Sequence, residues 1–176
     1  INFPSSALGY ISVKENVSKK ELASLGYGYG VTISPFQIAS AYSVFANEGI
    51  FKDFKLLQNS EVTSRKIISS DTAKHILEAL NMVIKDGTGK AAEIKGFSEG
   101  GKTGTVHRIK RGSGYAEDSY RASFVGITPL NSESLTIFVS IDEPNLNLYS
   151  GGAVAAPIFA KIAESSLNHL GYFQDE

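Results

Sequence analysis

The sequence predicts an α+β domain: helices first, then an antiparallel sheet meander, then a closing C-terminal helix. Three observations carry that expectation. Two helix-start signatures lie within the first forty residues, at Ser18-Lys19-Lys20-Glu21 and Ser34-Pro35-Phe36-Gln37. Three runs rich in β-branched residues follow between 103 and 141, joined by short turn-rich segments. Such connections suit hairpins and are too short for crossover helices. An apolar helical pattern then returns after residue 153.

Taken in order, residues 1–17 show no clear period. Ser18 and Glu21 form a capping box, with the Ser hydroxyl and the Glu carboxylate each satisfying an orphan N–H. The helix they open ends at Gly26, and GYGYG (26–30) reads as a glycine–tyrosine loop. Ser34 as N-cap, Pro35 at the first helical position and Gln37 at the third start a stronger helix. Ile38, Ala41, Tyr42 and Phe45 share its apolar face, and it stops near Gly49. Residues 50–69 read as extended and irregular. Ser70 is the expected cap of the next helix, with Asp71 matched to the dipole in its first turn. Ile76, Leu77, Leu80, Val83 and Ile84 make its apolar face, and Gly87 ends it. DGTGKAAEIKG (86–96) reads as a loop. The expected strands are Thr103 to Ile109, Tyr120 to Thr128 and Ser134 to Ile141, separated by KRGSGYAEDS and PLNSE. The last helix is expected from about Ala153 to Leu170. Pro157 sits near its first turn, and Ile158, Phe159, Ile162, Ala163 and Leu167 are its apolar residues.

Composition bounds the function. The 176 residues are 42% hydrophobic and 20% charged, enough for one domain with a real core. A formal net charge of −1 argues against a nucleic-acid partner. The absence of Cys excludes disulfides and thiolate chemistry. With three scattered His, no transition-metal site and no cofactor are expected. No apolar run reaches the roughly 20 residues that cross a bilayer. The start, INFPSSALGY, has neither an initiator Met nor the layout of a signal peptide, so the chain reads as a piece of a longer protein.

One stretch holds the chemistry. Gly96 to Thr103 fits the P-loop pattern G-x-x-x-x-G-K-[ST], while Lys102-Thr103-Gly104 fits the K-T-G element of penicillin-recognising enzymes. A P-loop needs a buried strand before the glycines and a helix directly after Lys-Thr. KAAEIKG upstream is polar and short, and Gly104-Thr105-Val106 downstream favours a strand. TIFVSIDE (136–143), a Walker-B lookalike, follows a meander rather than a crossover helix. On a strand, Lys102 and Gly104 point one way and Thr103 and Thr105 the other. Lys102 offers charge to a carboxylate, the threonine hydroxyls can bind it, and Gly104 lets a peptide approach the backbone. A main-chain N–H beyond the glycine can serve as an oxyanion donor. An edge strand with a solvated lysine is the plain alternative.

Several longer segments extend the match. GYGYGVTISPFQIASAYSVFANEG (26–49), GTGKAAEIKGFSEGGKTGT (87–105), SYRASFVGITP (119–129) and IDEPNLNLYSGGAVAAPIFAKI (141–162) occur in that order. Together they resemble the C-terminal part of the transpeptidase domain of class B penicillin-binding proteins, and most of all the division-specific enzyme. The resemblance implies a partial serine-β-lactamase-like fold and a D,D-transpeptidase. Such an enzyme cross-links peptidoglycan stem peptides ending in D-Ala-D-Ala through an acyl-serine, and β-lactam antibiotics inhibit it. It implies that Lys102 contacts the serine of an S-x-N motif and assists proton handling. It further implies that Thr103 and Thr105 hold the carboxylate and that the Thr105 N–H completes the oxyanion hole. Tyr29, Tyr120 and Tyr149 fall where relatives line the cleft with aromatics, with ordinary packing as the other reading.

Two family motifs are missing. There is no S-x-x-K, and the single S-x-N, Ser166-Leu167-Asn168, lies downstream of K-T-G in the final helix. The family places both motifs upstream of GYGYG, together with two further strands of the sheet. Residues 1–176 therefore read as the C-terminal portion of one transpeptidase domain, inactive without the preceding segment of that domain. The implied setting is the bacterial cytoplasmic membrane, with the anchor outside this chain, a periplasmic catalytic domain and division-complex partners. Against the family pattern, Glu99 replaces a small or apolar residue, and Val106-His107 replaces Ala and a basic or polar residue. His107 reads as an ordinary polar contact. A β-lactamase, a penicillin-sensing receptor domain and a non-catalytic binding module are the competing readings.

Overall fold

The structure, a computed structural model, describes residues 7–11, 17–28, 30–57, 59–110, 114–131, 133–145 and 147–172. Among these, strand β1 (Tyr10–Ile11) pairs antiparallel with β2 (Val31–Thr32), flanking helix α1 (Lys19–Gly26). Helix α2 (Pro35–Ala46) follows, then the hairpin of β3 (Ile50–Lys52) and β4 (Ser64–Lys66), then α3 (Ser70–Lys85). A 3-10 turn at Lys90–Ala92 leads into the main sheet, β5 (Gly100–Lys110), β6 (Gly114–Thr128) and β7 (Leu135–Asp142), in the order β5-β6-β7. A π-turn (Gly151–Ala155) and α4 (Ala156–His169) complete the fold. The expected helices, antiparallel meander and closing helix are all present.

The local signals act as the sequence implied. Ser18 and Ser34 each accept from the N3 amide while Glu21 and Gln37 reach back to the cap N–H, closing both capping boxes. Some boundaries differ. The cap of α3 is Ser69, whose hydroxyl accepts from the Thr72 N–H; Ser70 is already helical. Two adjacent serines satisfy the same pattern, and the one whose backbone is extended takes the role. Residues 50–69 are not irregular throughout, because 50–52 and 64–66 form a hairpin. β5 starts at Gly100, three residues before the β-branched run, since cross-strand pairing to Ile127 and Gly126 carries two glycines of low strand propensity. β6 already begins at Gly114, within a segment that reads as a turn. The continuous α-helix starts at Ala156 rather than Ala153, the preceding residues being wound as a π-turn.

The core lies where α4 meets the sheet. Phe124, Val139, Phe159, Ala155, Ala156, Ala163 and Ile84 form one buried cluster, with Ala92 and Ile94 supplied by the turn before β5. Phe124 and Gly126 share one face of β6 and meet Phe159. Val125 and Ile127, which alternate with them, are also buried, so the central strand is covered on both faces. On α2 the most buried residue is Val44, while Ala41 is exposed; a helix apolar on nearly every side gives periodicity little to report. On α4, Phe159, Ala163 and Leu167 are buried, whereas Ile158 and Ile162 face outward.

Candidate active site around the K-T-G-T strand

The ambiguity of Gly96 to Thr103 resolves on secondary structure. Lys102, Thr103, Gly104 and Thr105 lie inside β5, opposite Val125, Phe124, Ser123 and Ala122 of β6. No helix follows Thr103, so the dipole and the N–H cradle of a P-loop are missing. β5 is an edge of the described sheet, so alternate main-chain N–H and C=O groups point away from β6.

Lys102 is exposed, and its Nζ donates to the Thr103 carbonyl at 2.9 Å. Thr103 and Thr105 have inward partners. The Thr103 hydroxyl is 2.8 Å from that of Thr88, either of which can donate. Thr105 Oγ1 accepts from the Gly151 N–H at 3.0 Å. Gly104 has an internal reason as well: a Cβ there would stand 2.5 Å from Ser123 Oγ on the paired strand.

The π-turn presses on this strand from its other side. Ser150 accepts from the Ala153 N–H, fixing the turn's entry. A Cβ on Gly151 would lie 2.2 Å from the Ser123 carbonyl oxygen and 2.5 Å from that of Gly104. Both obstacles are main chain inside a hydrogen-bonded ladder and cannot swing aside. Gly151→Ala should therefore lift the turn off β5, break the Thr105 contact and cost about 1–3 kcal/mol of stability. Denaturant unfolding of the two forms measures the loss.

A column of rings stands where the motif ends. His107 lies opposite Tyr120 in the ladder, with centroids 4.5 Å apart. Tyr120 stacks on Tyr149 at 4.3 Å with the planes 26° apart. Tyr149 is partly exposed and offers a ring face and edge to solvent. Of the three tyrosines read from the sequence, Tyr120 and Tyr149 are together, and Tyr29 lies outside the described residues. Nearby, Arg121 makes two 3.0 Å bonds to Asp142, and Arg108 reaches Glu143 at 2.5 Å and Asp142 at 3.4 Å. The hydrogen bonds from Arg121 hold the Asp142 carboxyl below its ordinary pKa. These exposed pairs tie the ends of β5, β6 and β7, at a worth of about 1 kcal/mol or less each.

Glu99 sits immediately before β5 and is only 3% exposed. Its Oε1 accepts from the Ile94 N–H at 2.9 Å, and its carbonyl accepts from Asn81 Nδ2 at 2.6 Å. Burial raises its pKa from 4.5 to about 7, opposed by the Ile94 bond and the Lys85 charge and reinforced by Glu93. The folded state therefore binds a proton more tightly than the unfolded chain. That contribution to stability is complete below pH 4.5 and declines as pH rises through about 7. The protein should show a falling Tm between pH 5 and pH 8, and Glu99→Gln, which keeps an acceptor for Ile94 without a charge, should flatten that fall.

Sequence reasoning did not single out Thr88, Ser123, Gly151 or Gly152 as parts of the site. Thr88 and Gly151–Gly152 lie inside the GTG and YSGG segments that carried the resemblance, but their contacts with β5 span 15 and 46 residues of chain. Among the described residues no cluster of three or more His, Asp and Glu could hold a metal, and no helix is long and apolar enough to cross a membrane.

Comparison with known proteins bears on the whole arrangement. The family model for the penicillin binding protein transpeptidase domain matches residues 1–164. A probable peptidoglycan D,D-transpeptidase, PbpC of Pseudomonas aeruginosa, is 36% identical over 172 residues, covering 97% of this chain and 30% of that protein. The apo transpeptidase domain of Burkholderia pseudomallei penicillin-binding protein 3 superimposes with a TM-score of 0.87 at 33% identity, covering all of this chain and 54% of that one. Penicillin-binding protein 3 of Mycobacterium tuberculosis, solved with aztreonam, gives a TM-score of 0.80 at 25% identity over 98% of this chain and 43% of its own. The chain thus spans less than half of the length of the curated relatives it matches, from 28% to 42% for three of them. A K-T-G-T edge strand backed by a π-turn, in a chain whose length is matched almost end to end, places this protein in the penicillin-binding-protein transpeptidase family.

Proposed function

We propose that this chain supplies the K-T-G-T wall of a serine D,D-transpeptidase site, the serine and its lysine base coming from the preceding part of the same domain. The observation that carries the reading is the β5 edge, where Lys102 is exposed and donates to its neighbour's carbonyl, beside the column ending in Tyr149. The substrate class is a peptidoglycan stem peptide ending in D-Ala-D-Ala. Its extended backbone lies along the open edge of β5 as an added strand. The serine attacks the carbonyl of the penultimate D-Ala, and the terminal D-Ala leaves with the proton passed on from the serine. An amine of a neighbouring stem peptide then takes the acyl group.

In this scheme Lys102 stabilises the anionic end of the substrate and the proton relay at the S-x-N serine. Thr103 and Thr105 bind the terminal carboxylate, and the Thr105 N–H stabilises the developing oxyanion. For the hydroxyls to do so, Thr103 shares its bond with Thr88 and Thr105 keeps its own proton to donate, since the Gly151 N–H occupies only an acceptor site. Tyr120 and Tyr149 line the cleft for the apolar parts of the stem peptide, a role the family resemblance extends to Tyr29. β-Lactams occupy the same place and leave a long-lived acyl-enzyme. The setting is septal wall synthesis at the cytoplasmic membrane, with the domain on the periplasmic side and division-complex proteins as partners.

Acylation of the full-length protein by benzylpenicillin, followed by the lifetime of the adduct and by release of D-Ala from a stem pentapeptide, tests the reading. A persistent adduct with D-Ala release supports a transpeptidase. Rapid hydrolysis of the adduct would instead identify a β-lactamase, and a persistent adduct without D-Ala release a receptor.

A further inference from the structure

We propose that Glu143 is a positioning residue for the ring column of the cleft, fastening β5 to β6 where their ladder loses register. The inference rests on the transpeptidase reading of β5 and deepens it, by naming what holds the rings at a set place beside the K-T-G-T strand. The ladder is regular from Gly100 to His107, each residue opposite one of β6. Beyond His107 and Tyr120 the next pair is Ile109 with Tyr115, so residue 108 stands against residues 116–119. The rings of His107 and Tyr120 therefore sit on the last regular rung, where main-chain pairing stops fixing the distance between the strands.

Glu143 bridges that rung. Its carboxylate oxygen Oε1 takes Arg108 Nη1 of β5 at 2.5 Å and the Ser119 hydroxyl of β6 at 3.3 Å. Its N–H donates to the Tyr120 carbonyl at 3.0 Å, one residue past the final β6–β7 pair of Arg121 with Asp142. The residue after His107, the residue before Tyr120 and Tyr120 itself are thus all tied to Glu143. So is the start of the segment that carries Tyr149 onto Tyr120. Glu143 makes these contacts at a φ of +53°, where a side chain crowds its own main chain. Such a conformation persists where its surroundings hold it in place. Both side chains of the ion pair are partly exposed, so no one contact is strong. The convergence of three of them on one strained residue, at the point where the ladder fails, points to positioning.

The column lies on the path of the substrate. Gly100 and Gly101 are buried, so a peptide with its terminal carboxylate at Thr103 and Thr105 leaves the edge in the other direction, antiparallel to β5. His107 follows Thr105 by two residues, about 7 Å along the strand and on the same face. The rings therefore meet the part of the substrate that precedes the reacting carbonyl, and in a penicillin the acyl side chain.

The test uses the full-length protein and two penicillins. Benzylpenicillin carries an aromatic acyl side chain, and 6-aminopenicillanic acid has the same ring system without it. Second-order acylation rates are measured by intact mass, with Tm, for the natural protein, Glu143→Ala, Glu143→Gln and Arg108→Ala. The readout is the ratio of the two rates, which a general loss of stability does not move. Glu143→Ala should lower the ratio roughly two- to tenfold in disfavour of benzylpenicillin, the scale of one aromatic contact. Arg108→Ala should lower it less, because the Ser119 and Tyr120 bonds remain. Glu143→Gln should recover most of it, since the amide oxygen accepts at the same point. Should Glu143→Ala not fold, Arg108→Ala, which leaves the Glu143 main chain untouched, decides the matter alone. A ratio that keeps its natural value in these alanine variants, whether both rates fall together or neither changes, overturns the inference and leaves the transpeptidase reading standing. Absence of an adduct with either penicillin in folded protein of every form overturns that reading and the inference with it.

Discussion

Lys102→Ala in the complete domain should lower the rate of acylation by a β-lactam about 10²–10³-fold, the usual penalty for removing one preorganised electrostatic group. The fold should hardly notice. Lys102 is exposed, and the bond it loses is a surface contact to the Thr103 carbonyl, so the stability change should stay within about 0.5 kcal/mol. The separation of the two effects is what marks a functional lysine. A solvated lysine on an edge strand would leave both rate and Tm unchanged. A lysine that holds the strand in place would lower both. Lys102→Arg sharpens the test, because a planar guanidinium keeps the charge but cannot present an ammonium at the same point, and only partial recovery is expected. Single-turnover acylation and thermal melts of the three forms provide the comparison.

The largest effect on stability is expected at Phe159. Its side chain is fully buried, packs on Phe124 with centroids 5.0 Å apart, and fills the space left by Gly126, where a Cβ would lie 2.4 Å from the ring. Phe159→Ala removes the ring that joins α4 to the sheet, and should cost about 3–5 kcal/mol. α4 continues from the π-turn that backs Thr105, so a loosened helix should also reach the site. Acylation should fall along with Tm, in contrast to Lys102→Ala. Phe159→Leu, which keeps most of the apolar volume, should recover the greater part of both.

The legible parts of the fold were those set by short-range chemistry. The capping boxes at Ser18 and Ser34 are spelled within four residues and form as spelled. The apolar stripe of α3 supplies Leu80 and Ile84 to the interior, and the β-branched runs became β5, β6 and β7. The β3–β4 hairpin was hidden because its residues, IFK and SRK, are largely exposed and carry no alternation. On α4, Ile158 and Ile162 match the helical pattern but face outward, since a period names a stripe without saying how wide its cover is.

The site divides the same way. K-T-G-T is contiguous and was visible as a motif. The hydroxyl pair of Thr88 and Thr103, the seat of Gly151 on the β5–β6 ladder and the stack of His107, Tyr120 and Tyr149 are products of tertiary folding. No local period encodes them. Glu99 was conspicuous only as a departure from the family pattern; its burial and its bond to Ile94 give that departure a physical content.

The most direct test of the central claim is intact-mass analysis after incubation with benzylpenicillin, run on this chain and on the same chain extended upstream in its own gene. The expected result is a one-to-one adduct on the extended form only, persisting for many minutes, on a serine outside residues 1–176. No adduct on a folded extended form would contradict the account, as would an adduct on this chain alone.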